Sequence, residues 1–301
     1  MTTNEYLKKV LDAQILAEGS AELKALQNHR ADVEKLLRDH FADSSPTIRY
    51  GGSKAKGTMI KESYDLDIIC YFPRDDEDAG GTLEDIYNNA KIALQKEYVV
   101  EPKTSALRLK DADPTRRGLD FHIDVVPGRF TDDTKTDAFL YQSSAEKKRL
   151  KTNIDVHIEH VRDSGVTDAI RLVKLWKVRN GIAFKHFVLE LSVIKLLDGR
   201  KRSSLESQLE HVLTEFRDNI DNLTVEDPAN PEGNDLSPAL DAARSTLRSV
   251  ARQTLALVQS SGWTAVFGEV DDDSEEDNRA ALRRVAAAVA TPTRPWASDE
   301  L

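Results

Sequence analysis

The sequence predicts a mixed α/β fold in the first half of the chain and a helical second half. Up to about residue 150, short β-prone runs are separated by glycine and proline, whereas helical periodicity runs almost throughout the remainder. A chain of 301 residues is long enough for two domains. We therefore expect a first domain with N-terminal helices over residues 1–150 and a helical second domain over residues 151–301.

The first half alternates helices and strands. Apolar residues recur at helical spacing over residues 4–41 without a proline, which predicts one long N-terminal helix. Runs rich in β-branched and aromatic residues predict the strands, and another amphipathic run predicts a helix among them. The strands are expected at 47–50, 66–72, 98–100, 107–109 and 119–126, and the helix at 83–97.

The second half carries longer helical patterns with loops rich in proline, glycine and charged residues between them. Four helices are expected, at 166–180, 186–197, 204–219 and 238–260. No run approaches the roughly 18 to 20 uncharged apolar residues that a membrane span requires. We therefore expect no membrane association.

Charge and cysteine content restrict the class of protein. The 42 basic and 52 acidic residues give a net charge of −10, which disfavours long nucleic acid as a partner. The single cysteine, Cys70, excludes an internal disulfide and a thiolate zinc site, and residues 1–18 lack the apolar run of a secretory signal. These features predict a cytoplasmic protein.

Two carboxylates open the predicted strand at 66–72. Because side chains alternate along a strand, Asp65 and Asp67 share one face, roughly 6 to 7 Å apart. They would repel each other in an otherwise apolar run unless a cation lay between them. Hard oxygen ligands of this kind suit Mg²⁺ or Mn²⁺ bound together with substrate phosphates.

A third carboxylate and a glycine-bearing loop complete the candidate site. If the strand containing Asp124 lies beside the first, three carboxylates can hold two cations for a phosphoryl displacement. Gly52 would let a phosphate approach the backbone, and the Ser53 hydroxyl could bind its oxygens. Each feature alone is more often a turn or a solvated strand edge, and only their combination favours a site.

Together these residues resemble the signature of polymerase-β-type nucleotidyltransferases. Within that superfamily the chain is similar to oligoadenylate synthases, cyclic GMP–AMP synthase and the bacterial cyclic-oligonucleotide synthases, or CD-NTases, over roughly residues 30 to 260. The segments that carry the resemblance are Gly52–Thr58, Asp65–Asp67, Ile123–Pro127, Arg171–Lys177, Leu189–Leu191 and Asp227-Pro228 ahead of Asn234.

The resemblance implies a polymerase-β-like palm followed by a helical domain. It implies that Asp65, Asp67 and Asp124 bind two Mg²⁺ or Mn²⁺ ions and that Gly52 and Ser53 grip the donor triphosphate. Lys174 would reach the same phosphates from the helical domain. The alternative interpretation is that its helix is an amphipathic packing helix whose basic residues are solvated. Relatives often have a small hydroxyl residue just before the pair that corresponds to Leu189-Glu190. This chain has Lys185-His186-Phe187-Val188 there, so a second phosphate contact is not predicted at these positions.

The function implied is the joining of nucleoside triphosphates, as donor and acceptor, into a cyclic di- or trinucleotide messenger of anti-phage signalling. A regulatory protein is a further partner left open by the resemblance. Two other functions also remain open on the sequence. One is nucleotidyl transfer to a small molecule, a protein or an RNA end, and the other is a non-catalytic nucleotide-binding module.

Overall fold

A mixed β-sheet forms the centre of the first half of the chain in the computed structural model, which describes residues 1–17, 19–113, 120–144 and 147–270. Within these ranges the sheet has seven strands, with the order β1-β2-β5-β4-β3 and with β6 and β7 continuing from β5. Only the β2–β5 pair is parallel among them. The strands are β1 Thr47–Tyr50, β2 Leu66–Phe72, β3 Tyr98–Pro102, β4 Leu107–Asp111, β5 Asp120–Phe130, β6 Ala138–Tyr141 and β7 Arg149–Thr152.

Strand β5 continues through Pro127, where the sequence predicted its end. Proline lacks an N–H group and is tolerated in a strand only where no ladder hydrogen bond is required of it. On one edge of β5, pairing with β4 extends to Val125 and pairing with β6 begins at Gly128. Pro127 therefore falls in the gap between two partner strands.

The N-terminal region contains two helices, so the prediction of one continuous helix is wrong. Helix α1 spans Thr3–Ala13 and helix α2 spans Ala21–His40. Gly19 adopts a φ of +83°, which favours glycine, and the Ser20 hydroxyl accepts a hydrogen bond from the Leu23 N–H at the start of α2. These two residues separate the helices.

The remaining helices of the first half are α3 at Gly52–Ala55 and α4 at Leu83–Leu94. Helices α2 and α4 supply apolar side chains to one core with β2, β4 and β5, in which Phe72 and Ile86 are fully buried. This core fixes the β2–β5 pair, on which the candidate site is built.

The second half is helical, as predicted. Trp176 is fully buried at its centre, where it stacks on Phe216 and donates a 2.9 Å hydrogen bond to Thr254. Helix α1 packs into this second core through residues such as Leu7, although it comes first in the chain. The helices are α5 Ile154–Arg162, α6 Thr167–Arg179, α7 His186–Leu196, α8 Leu205–Asp218, α9 Ser237–Ser261 and α10 Thr264–Phe267.

The domain boundary near residue 150 stays a prediction. Residues 271–301 of the predicted second domain lie outside the described part of the chain. In the described ranges, no helix is both long and apolar enough to cross a bilayer.

Candidate active site

Asp67 and Asp124 lie side by side at the centre of the sheet. They are paired in the parallel register of β2 and β5, so their side chains emerge on the same face. Burial raises the pKa of the Asp67 carboxyl to about 6, and repulsion by Asp124 and then Asp65 adds to this effect. The structure therefore places Asp67 beside Asp124, with Asp65 near enough to act electrostatically on Asp67.

Arg108 also belongs to this cluster, and the sequence analysis missed it. Arg108 lies in β4 and pairs with Asp124 across the antiparallel β4–β5 ladder. The guanidinium donates two hydrogen bonds of 2.8 Å to the two oxygens of Asp124, and its Nη2 lies 3.8 Å from Oδ1 of Asp65. A basic residue between Leu107 and Leu109 in a strand was the signal that could have revealed it.

The cluster fits a divalent cation in its chemistry. Carboxylate oxygens are the ligands that Mg²⁺ and Mn²⁺ prefer, and the positive guanidinium of Arg108 already lies against Asp124 and near Asp65. In this arrangement, no group of three or more His, Cys, Asp or Glu side chains in the described chain could hold a metal ion. Cation binding at these carboxylates would therefore require a rearrangement of the side chains.

Gly52 lies against the Asp67 carboxylate, and Ser53 follows it in α3. Gly52 has a φ of +73°, and a Cβ atom there would lie 2.8 Å from Oδ2 of Asp67 and 3.1 Å from the carbonyl oxygen of Asp65. The Gly51 N–H donates a 2.9 Å hydrogen bond to the Asp67 carbonyl, which ties this loop to β2. Among the described residues, the buried Oγ of Ser53 has no hydrogen-bond partner, so this hydroxyl is available to a ligand.

Lys174 occupies a buried charge network that joins the loop to the helical half. Its Nζ donates a 2.8 Å hydrogen bond to the Thr58 carbonyl and lies 3.6 Å from Glu190, whose side chain is 2% exposed. Glu190 accepts further hydrogen bonds from the Thr58 hydroxyl at 2.6 Å and from Lys56 at 3.0 Å. Lys174 would have to exchange these partners to contact a phosphate.

Burial alone would raise the pKa of Glu190, but the positive charges of Lys56 and Lys174 hold it below its usual range. The opposite balance applies to Lys174, where burial lowers the pKa and the Glu190 charge only partly compensates. Glu190 is therefore the anion that keeps two buried lysines in place beside the loop.

A second basic pair lies on α6 and α7, in the electrostatic field of Asp65. Nζ of Lys177 lies 3.2 Å from Nε2 of His186, which is also 3.3 Å from the Ser63 hydroxyl. Burial, followed by the charge of Lys174, lowers the pKa of Lys177 to about 8. The same causes, together with Lys177, lower the pKa of His186 to about 4, so the imidazole is neutral near pH 7.

His186 stands at the position where the sequence left a phosphate contact unassigned. Among the described residues, its buried Nδ1 has no hydrogen-bond partner. Lys177 and His186 therefore provide one positive charge and one unsatisfied polar nitrogen near the carboxylate cluster, and we count both as candidate site residues.

Comparisons with known proteins give one sequence relative and many structural ones. No family model matches the chain. The chain is 26% identical to the cyclic AMP-AMP-AMP synthase of Escherichia coli (strain MS 115-1) over 249 residues, which cover 71% of this chain and 75% of the relative.

The solved structures that resemble the chain share its fold. CdnC of E. coli MS115-1, in its CdnC:HORMA-deltaN complex, superposes with a TM-score of 0.64 at 18% identity, over 90% of this chain and 99% of CdnC. The CD-NTase CdnG of Bradyrhizobium diazoefficiens in complex with GTP gives a TM-score of 0.64 at 14% identity, over 97% and 99% of the two chains. Sequence match and fold together support the resemblance of the chain to the bacterial cyclic GMP–AMP synthase-like nucleotidyltransferases, the CD-NTases.

Proposed function

We propose that this enzyme joins nucleoside triphosphates into a cyclic di- or trinucleotide, which serves as a second messenger in anti-phage signalling. The observation that carries the proposal is the adjacent placement of Asp67 and Asp124, beside the close approach of Gly52 to the Asp67 carboxylate. The activity of the sequence relative, a cyclic AMP-AMP-AMP synthase, supports the class of product. The role in defence rests on the family resemblance.

The proposed chemistry is attack of a ribose hydroxyl on the α-phosphorus of a second nucleotide. A new P–O bond forms, the bond to the β-phosphate breaks, and pyrophosphate leaves with the electron pair. Two Mg²⁺ ions bound by Asp65, Asp67 and Asp124 would acidify the hydroxyl and offset the charge that develops on the phosphates. Asp124 is our candidate to orient the hydroxyl or accept its proton.

The triphosphate of the donor is proposed to lie over the Gly52–Ser53 loop. The unpartnered Ser53 hydroxyl can donate to a phosphate oxygen, and Gly52 leaves no side chain in the way. Lys174 remains a proposed contact that depends on its release from Glu190. Lys177 lies on the same helix and is positively charged below its pKa of about 8, so it is proposed as a second source of positive charge.

Nucleoside triphosphates are proposed as both donor and acceptor. Solved relatives bound to ATP or GTP support this choice, and ATP is the first substrate to test because the sequence relative is named for an all-adenylate product. A regulatory protein partner stays a prediction, which the CdnC:HORMA-deltaN complex of a structural relative supports.

The product assay tests the proposal. The purified protein is incubated with the four ribonucleoside triphosphates and Mg²⁺, treated with phosphatase, and analysed by mass spectrometry. We expect a phosphatase-resistant cyclic oligonucleotide from the wild type and none from Asp67→Asn. Labelled nucleotide attached to protein, RNA or a small molecule would favour the other transferase functions, and the absence of any transfer would favour a binding module.

A further inference from the structure

The two charge-assisted hydrogen bonds from Arg108 take up both carboxylate oxygens of Asp124. The donors are Nε and Nη2, each 2.8 Å from its acceptor, and the side chains are 25% and 16% exposed. Bidentate pairing of this kind is among the stronger polar contacts in proteins, because both bonds are held in one plane. Asp124 is therefore held by Arg108 along its full carboxylate edge.

The same guanidinium lies 3.8 Å from Asp65, on the other side of the cluster. Its positive charge thus lies close to two of the three carboxylates proposed to bind metal. It also offsets the repulsion between Asp124 and Asp67, which are direct neighbours across β5 and β2. The guanidinium therefore supplies, close to Asp124 and Asp65, part of the positive charge that a bound divalent cation would supply.

We propose that Arg108 and the catalytic cations compete for Asp124, so that metal loading requires the bidentate pair to open. A guanidinium and a divalent cation repel each other, and the repulsion is strong in a half-buried cluster. Both cannot lie on the same carboxylate edge. Arg108 is thus a positioning residue that keeps the carboxylates together and sets how readily they bind metal.

This inference rests on the three-carboxylate site of the proposed function. It goes further by assigning a role to a residue that does not bind metal. It predicts that loss of Arg108 tightens metal binding, whereas a residue needed to assemble the metal site would weaken it when lost. The two roles therefore give opposite signs in a binding measurement.

The test measures binding of Mn²⁺ to the full chain by electron paramagnetic resonance, without nucleotide and without turnover. We expect Arg108→Gln to bind Mn²⁺ about tenfold more tightly than the wild type, because a charged competitor is gone. In chelator, the same variant should unfold at a lower temperature, because the carboxylates lose their counter-charge. Unchanged or weaker Mn²⁺ binding in Arg108→Gln would overturn the inference.

Arg108→Lys separates competition from general charge. Lysine keeps the positive charge but cannot bond both oxygens of Asp124 in the planar geometry of arginine. Competition predicts a Mn²⁺ affinity between those of the wild type and Arg108→Gln, whereas a pure charge effect predicts the wild-type value. This variant also keeps the test decisive if Arg108→Gln fails to fold.

Lys110→Gln is the matched control. Lys110 lies two residues further along β4 and pairs with Glu101 at 2.5 Å, so its loss removes one charge from the same strand without touching the carboxylates. Its Mn²⁺ affinity should equal that of the wild type.

The double variant Asp124→Asn with Asp67→Asn tests the carboxylate site itself and should abolish Mn²⁺ binding. If that double variant still binds Mn²⁺ like the wild type, the carboxylate site itself is refuted, which is a separate failure from that of Arg108.

Discussion

Asp67 in β2 and Asp124 in β5 face each other directly in the one parallel strand pair of the described sheet. Neighbouring strands lie about 4.8 Å apart, so two ionised carboxylates in this register repel each other strongly. Burial is the main cause of the raised pKa of Asp67, and this repulsion adds to it. The repulsion is offset here by the Arg108 guanidinium, which donates two hydrogen bonds to Asp124.

Removal of the Asp67 charge should stabilise the cation-depleted protein and abolish catalysis. The pKa of Asp67 is raised from 3.8 to about 6, so the folded state holds this proton more tightly than the unfolded chain does. Ionisation therefore reduces the stability of the wild type as the pH rises from about 4 to about 6. Asn cannot ionise and should escape this loss.

Thermal unfolding in chelator from pH 4 to pH 8 measures the effect. Asp67→Asn should match the wild type near pH 4, gain stability relative to it up to about pH 6 and hold a constant advantage above that. A stability difference that does not change with pH would contradict the assigned cause. Retention of nucleotidyl transfer by this variant would contradict the catalytic role.

Gly52→Ala should abolish activity by a steric effect on Asp67. Its Cβ would lie 2.8 Å from Oδ2 of Asp67, in a backbone conformation of positive φ. Gly57→Ala is a matched control, because Gly57 has nearly the same φ, +72°, and no atom within 4 Å of its Cβ position. Both variants should lose about 1 kcal/mol from backbone strain. Only Gly52→Ala should lose product formation, at least about a hundredfold, and equal losses in both would exclude the steric explanation.

Glu190→Gln should destabilise the protein by about 3 kcal/mol, because it leaves Lys56 and Lys174 buried without their anion. Chemical denaturation at pH 7 measures the change. Glu159→Gln, on the exposed face of α5, is the control and should stay within about 0.5 kcal/mol of the wild type. A loss of less than about 1 kcal/mol in Glu190→Gln would mean that the buried lysines are not held by this carboxylate.

Binding of ATP should weaken as the pH rises from 7 to 9, because Lys177 loses its charge around a pKa of about 8. Lysine is charged below its pKa, so the attraction to the triphosphate is present at pH 7 and lost at pH 9. Calorimetry should show affinity about tenfold lower for Lys177→Gln at pH 7, with little further decline to pH 9. Lys96→Gln, an exposed control, should follow the wild-type profile. A wild-type pH profile in Lys177→Gln would remove Lys177 from the triphosphate site.

The local features of the site could be predicted from the sequence. The glycine at position 52 indicated a close approach to the backbone. The shared face of Asp65 and Asp67 stays a prediction, because β2 begins at Leu66 and Asp65 precedes it. The side-by-side placement of Asp67 and Asp124 depends on two strands that are distant in sequence being neighbours in the sheet. The sequence-based prediction had to assume this adjacency. Register between such strands is set by the whole core, with buried residues such as Phe72 and Ile86 on the helix-covered face.

The contacts across elements were beyond the sequence. Arg108 is one of several basic residues in strands, and only the β4–β5 register reveals that it faces Asp124. Lys174 was placed on the correct helix, but its partner Glu190 lies on the next helix and the Thr58 carbonyl lies in the loop of the other half. Burial of a charged side chain depends on partners distant in sequence, which periodicity does not encode.

A crystal structure with Mn²⁺ and a non-reactive ATP analogue would show whether the three carboxylates bind cations, because anomalous scattering locates manganese independently of the protein map. We predict manganese peaks within bonding distance of Asp65, Asp67 and Asp124, the triphosphate over Gly52 and Ser53, and Arg108 no longer bonded to both oxygens of Asp124. Manganese bound elsewhere, with Asp124 still paired edge to edge with Arg108, would show that these carboxylates are not the metal site.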